Sequence, residues 1–233
     1  MNKSTSLPVV TSTTETIGAL IEDLCSNTRS TTTIIACCSR SRFLEQMALE
    51  ASSNPESQSE QPHEQQRNGT DSERNEKPHQ ESSKHISTPL LQPTLRLIAT
   101  SLHTNIVFCP DIPSFRAYVT TLSFREVHQS DISSTTVIVD MLAMHHGTSE
   151  FTVQGLSRTF AMLASVNHQM AGEMQIVECS DFLDPTDLQR GTRLWNADVP
   201  LLSGSVKIGE AGQGWASRTT NIKAFAGRWF QFQ

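Results

Sequence analysis

No run of this chain approaches the roughly 18–20 consecutive apolar residues of a membrane span, and no apolar core of signal-peptide length follows Met1–Ser6. The expected chain is therefore soluble and intracellular. Cysteine is sparse too: Cys25, Cys37, Cys38, Cys109 and Cys179 are odd in number, scattered, and form no C-x-x-C pair. That argues against a disulfide framework or a structural metal, and for a reducing compartment. Basic residues do not dominate. With a net charge of -6, nothing in the total suggests a protein built to coat nucleic acid. Nowhere does glycine precede lysine, so the phosphate-cradling loop G-x-x-x-x-G-K-[ST] is missing.

What is present begins with the stretch from Thr135 to Cys179. It opens with the β-branched run Thr135–Asp140 and closes with Met174–Cys179, each too short for an ordinary helix and suited to a buried strand. Between them Val153, Leu156, Phe160, Leu163 and Met170 recur at three- and four-residue steps, as on one face of a helix. Ser149 is placed to cap that helix, and Glu150 sits where its dipole favours an acid. Strand, helix, strand makes a right-handed βαβ unit.

Residues 1–13 are rich in Ser and Thr and read as a flexible N-terminus. Residues 14–51 give the first part of a domain: a helix through Ile17, Leu20, Ile21 and Leu24, a strand at Thr33–Cys37, and a helix at Phe43–Ala51. From 52 to 88 Ile86 is the only aliphatic or aromatic residue, a composition that reads as a disordered, low-complexity insert. Its Asn68-Gly69-Thr70 is a sequon by coincidence in an intracellular chain. Residues 89–233 resume the domain, with a helix at Leu90–Leu102, a strand at Asn105–Cys109 and a helix at Ile112–Leu122 ahead of the βαβ unit. Asp181–Asp198 reads as an irregular polar loop, and Ser205–Ile208, Arg218–Ala224 and Gly227–Phe232 as an antiparallel meander at the sheet edge. The fold class is α/β, with a mostly parallel sheet flanked by helices and closed by C-terminal antiparallel hairpins.

This order of parts resembles the RecA-like ATPase core of recombinases and their paralogues, without its opening phosphate-binding segment. Thr33–Phe43 is similar to the family's strand and turn after the P-loop helix, Asn105–Cys109 to the next strand, Val137–Asp140 to its Walker B strand, and Leu194–Phe232 to its closing hairpins. Asp140 is then Walker B-like. The family's catalytic glutamate would fall near Arg40, where a cation stands, so the resemblance implies a subunit with no catalytic residues, no ATPase activity and no cofactor. It also implies RecA-fold protein partners in a hetero-oligomer, as for recombinase paralogues and the Shu-complex type of accessory subunit, in homologous recombination and DNA repair, in the nucleus. The alternative is an Elongator-type accessory subunit in transfer RNA wobble-uridine modification, with a cytoplasmic location.

Several side chains admit a functional reading beside an ordinary one. Arg190, Arg193 and Trp195 occupy the loop that faces DNA in the recombinase family, where cations fix phosphates and an aromatic stacks on a splayed base; Asp181, Asp184 and Asp187 in the same loop oppose that. Arg40 and Arg42, at a strand-to-helix turn with Ser39 and Ser41, suit either an anion or a subunit contact. His145-His146 has no third ligand at useful spacing and reads as polar loop, not metal site. Cys37, Cys38, Cys109 and Cys179 fall at strand ends, on the ligand-binding edge of an open α/β sheet, though thiols are buried by habit. Trp215, Trp229, Phe230 and Phe232 read as packing residues.

Overall fold

The computed structural model describes residues 7–12, 15–27, 31–52, 95–125, 134–170, 172–181, 183–184, 186–201 and 218–233. Its centre is a six-stranded, wholly parallel sheet in the order β3-β2-β4-β5-β1-β8. The strands are β1 (Val9–Ser12), β2 (Thr31–Ala36), β3 (Thr104–Phe108), β4 (Ser134–Val139), β5 (Glu173–Glu178) and, counting the separate pair described below, β8 (Gln231–Phe232). Ile34 stands opposite Val137, and Ile35 opposite Ile138, which in turn meets Ile176. These residues are 0% exposed because the sheet is covered on both faces, which is why its strands read as unbroken apolar runs.

Alternate residues along each strand feed two cores. Val10, Ile35, Ile138 and Ile176 pack with α4 (Ile112–Arg125) and α6 (Val153–Gln169). Ile34, Val137, Val139 and Val177 pack with α1 (Ile17–Asn27) and α2 (Arg40–Ser52). The chain moves from β1 to β2 to β3 towards one edge with α1 and α2 on one face. It then turns back through β4 and β5 with α4 and α6 on the other. Right-handed crossovers require that change of face, so the neighbours β2 and β4 send their helices to opposite sides. Their carboxyl ends form the topological switch point, where open α/β sheets leave a crevice.

The α/β class with a parallel sheet flanked by helices stands, but several details differ. The N-terminal stretch expected to be loose supplies β1, paired with β5 and β8, and Val10 is 1% exposed. Four residues among Ser and Thr give no periodic signal; the pairing comes from strands far along the chain. Thr152, not Ser149, caps α6, accepting from Gly155 N. Among the described residues the C-terminal antiparallel pairing is that of Thr219–Asn221 (β7) with Asp198–Pro200 (β6), a ribbon separate from the main sheet and not a meander along its edge. The chain then turns into α8 (Ile222–Ala226), capped by Asn221, and Gln231–Phe232 joins the main sheet parallel to β1. The insert at 52–88 falls, from residue 53 on, outside the described residues, as do Ser205–Ile208 and Trp215. Of the helix expected at Leu90–Leu102, the described part is α3 (Leu95–Ser101). No described helix is long and apolar enough to cross a membrane.

Candidate functional site: a buried ionic cluster and its cleft

Asp140 follows β4 directly, and at φ 61°, ψ 37° it is the one described non-glycine residue in the left-handed region. Aspartate tolerates that conformation better than most residues. The turn lets Asp140 N donate to Val177 O (2.9 Å) while Oδ1 accepts from Cys179 N (3.0 Å), tying the end of β4 to that of β5. The next helix, α5 (Met141–His145), starts at once. Its first amides meet Glu178, the last residue of β5: Leu142 N donates to Oε1 at 2.5 Å and Ala143 N to Oε2 at 3.3 Å.

Arg190 opens α7 (Arg190–Trp195) and reaches back over this edge. Its Nη2 lies 2.7 Å from Asp140 Oδ2 as an ion pair, Nη1 bonds Asp181 Oδ2 (3.2 Å), and Nε donates to Cys179 O (3.1 Å). Asp181 also accepts from Arg42 Nη2 and Gln46 Nε2, both at 2.6 Å. Two guanidinium groups thus face two aspartates. Glu178 is the carboxyl left over. Burial, and next the Asp140 charge, push it up to about 8 against the pull of the two amides and Arg190, so it keeps its proton at neutral pH. Burial also raises the Asp140 carboxyl, which Arg190 draws back; the ion belongs to Asp140, the partner in contact with the guanidinium. At Asp181 burial is outweighed by Gln46, Arg190, Leu183 N and Arg42, which hold its carboxyl below the usual range.

Above the cluster, at the switch point, lies a cleft of about 320 Å³. Ser39, Arg42, Asp140 and Arg190 form its polar side, and Cys37, Cys38, Pro110, Ala143 and Met144 the rest. The four cysteines at strand ends do share this edge. Cys38 is the half-buried one, and burial followed by the Asp140 charge pushes its thiol to about 11. Cys37 and Cys179 are raised further still by burial. All three stay protonated and weakly nucleophilic at neutral pH.

The residues expected to touch nucleic acid are not brought together. Arg190 has a side chain only 12% exposed and engaged by Asp140 and Asp181, so it has no free face for a phosphate. Trp195 is 2% exposed, packed against Phe160, Phe230 and Phe232, so it cannot stack on a base. Helical phase explains both: α7 lies on the sheet, and its Arg190, Leu194 and Trp195 turn inward. Arg193 is on the outer side, paired with Asp187. Arg40 is exposed at the start of α2, and Arg42 reaches Asp181. Of the histidines, His146 is exposed against Phe151, and His145 is buried. His145 Nδ1 donates to Met141 O (2.9 Å), which leaves Nε2 to accept from Thr159, whose Oγ1 accepts in turn from Arg116. Burial lowers the His145 pKa, and the imidazole stays neutral. Sequence reasoning missed Glu178 and Gln46; an acid next to last in the run Met174–Cys179, with one ending Val137–Asp140, is the signal that would have paired the two carboxyls.

Compared with protein-family models, curated proteins and solved structures, the chain has no significant match in any of the three.

Proposed function

We propose that this chain is a RecA-fold accessory subunit without ATPase activity, lending a shaped surface to a heteromeric complex in homologous recombination. The observation that carries this reading is the connection from β1 to α1. In nucleotide-hydrolysing relatives the phosphate cradle lies between the first strand and its helix. Here that connection is Thr13-Thr-Glu-Thr16, four residues with no glycine, no lysine and an acid. Glu15 O accepts from both Ser180 N (3.0 Å) and Ser180 Oγ (3.1 Å), so the backbone there is bound to the end of β5. Asp140, in the Walker B-like place, has both oxygens engaged, and a metal ion would have to displace Arg190.

With Arg190 and Trp195 inside, single-stranded DNA contact drops out of the reading, and protein contacts carry the role. Exposed Leu95, Ile98 and Leu102, with Ile106 on β3, the edge strand of the sheet among the described residues, fit such a subunit. Affinity purification of the tagged chain from its own cells, read by mass spectrometry, tests this. Recovery of a recombinase or its paralogues is the expected result. Elongator subunits in their place, or saturable hydrolysis of Mg-ATP by the purified chain, would overturn it.

A further inference from the structure

The buried histidine and threonine under the α5–α6 corner belong to a hydrogen-bond chain whose donors and acceptors balance in one protonation state alone. His145, the last residue of α5, and Thr159, on α6, are both 0% exposed, so water cannot stand in for a lost partner. Met141 O, 2.9 Å from His145 Nδ1, can only accept, which puts the ring proton on Nδ1 and leaves Nε2 as an acceptor. Thr159 Oγ1, 3.1 Å from Nε2, must then donate its one hydrogen there. Its lone pairs are taken by Arg116, reaching across from α4, with Nε at 3.1 Å and Nη2 at 3.0 Å. The same Nη2 meets Gly155 O at 3.0 Å and Glu150 Oε2 at 2.9 Å. One guanidinium thus clasps α4 to the first turn of α6 and to the connection that leaves α5.

We propose that this chain of bonds is a proton-operated latch: a proton taken up at His145 Nε2 expels Arg116 from Thr159 and releases the α5–α6 corner. An imidazolium turns Nε2 from acceptor to donor, so it presents a hydrogen to a hydroxyl that is already offering one. The Thr159 hydroxyl can rotate, but its oxygen then accepts from Nε2 only by giving up a bond from Arg116. Guanidinium and imidazolium also repel in a buried site. Arg116 has somewhere to go, since its side chain is 26% exposed and the part-exposed Glu150 already holds Nη2. The charged groups that face the ring are Arg116 from α4, which opposes the proton, and Glu150 from the connection, which favours it. Arg158 of α6 lies 3.8 Å from that carboxylate and offsets part of its pull. Glu178 holds the other end of α5 through Leu142 N and Ala143 N, and Arg190 of α7 is paired with Asp140. Burial sets the event on the acid side of the usual imidazole range. The wall of the cleft moves with it, because Ala143 and Met144 precede His145 on a helix of five residues. The latch is independent of the accessory-subunit reading.

The test is a pH titration of the full chain, labelled with ¹⁵N, from pH 8 to pH 5, reading the His145 ring nitrogens, the Arg116 Nε–H signal and the backbone amides. The expected result is one midpoint shared by the ring, Arg116 Nε and the amides from Thr148 to Gly155, with those of Ile35 and Ile176 unmoved. Arg116→Lys keeps the charge but offers Thr159 a single donor. It should raise the His145 midpoint by about one pH unit, a tenfold gain in proton affinity and the size of one hydrogen bond to a charged group. Thr159→Ser keeps the hydroxyl and should keep the shared midpoint. The titration of the parent chain decides by itself if Arg116→Lys does not fold. A ring that stays neutral down to pH 5, or separate midpoints for His145 and Arg116, overturns the proposal. So does a midpoint that Arg116→Lys leaves where it was, or loss of the Ile35 and Ile176 amides in step with the ring, which would be unfolding of the whole domain.

Discussion

Replacing Glu178 by Gln tests the charge arithmetic of the buried cluster. In the folded chain this carboxyl titrates near 8, against an ordinary 4.5. Below 4.5 the acid is protonated whether the chain is folded or not, and it adds nothing to the pH dependence. Between 4.5 and 8 the unfolded chain releases the proton while the folded one keeps it. Stability therefore falls as pH rises through that window, by at most about 1.4 kcal/mol per pH unit, on the order of 4 kcal/mol in all. Glutamine has the shape of the neutral acid, keeps an acceptor for Leu142 N, and cannot ionise. The variant should match the parent near pH 5 and exceed it progressively towards pH 8, by a few kcal/mol. His145 acts in the opposite sense: its lowered pKa makes stability fall as pH drops through about 6.5. That contribution is common to both proteins and cancels in their difference. Urea unfolding followed by tryptophan fluorescence at pH 5, 6, 7 and 8 gives the comparison directly. A gap of constant size at every pH would show that Glu178 is ionised when folded and refute the assignment of the proton to it.

Two further substitutions probe how α7 holds the site. Trp195→Ala should cost about 3–5 kcal/mol, as for a large aromatic lost from a packed core; a stability change under 1 kcal/mol by urea unfolding, with single-stranded DNA binding lost, would return Trp195 to the surface. Gly191→Ala would place a methyl carbon 2.6 Å from the Glu178 carbonyl oxygen, a backbone atom that cannot step aside. It should push α7 off the sheet, cost about 1–3 kcal/mol and broaden the amide signals of Asp140 and Cys179; a thermal midpoint equal to the parent's would contradict that close approach.

Under the proposed RecA-like reading, the ionic cluster accounts for the lack of ATPase activity in physical terms. A hydrolase needs a free carboxylate at the end of the Asp140 strand and a glycine-rich loop after the first strand. Here a guanidinium fills the first requirement's space, and a four-residue connection replaces the second. Arg190 neutralises Asp140 in the fold with no metal ion required.

The strands and helices with strong periodicity were legible in one dimension. The apolar runs of β2, β4 and β5 could bury nowhere but inside a sheet covered on both faces, and the 3.6-residue stripe of α6 had to face it. The lack of a Gly-Lys pair was equally legible. The rest emerged on folding, wherever the forces act between residues far apart in the chain. Val9–Ser12 is a strand because β5 and β8 pair with it, and Gln231–Phe232 runs parallel because β1 is its neighbour. Trp195 and Arg190, which look like a nucleic-acid loop in one dimension, are drawn inside by Phe160 on one side and by Asp140 and Asp181 on the other. Periodicity reports which face of an element is apolar. Which charge meets which is a matter of topology, and the proton on Glu178 follows from the pairings that topology creates.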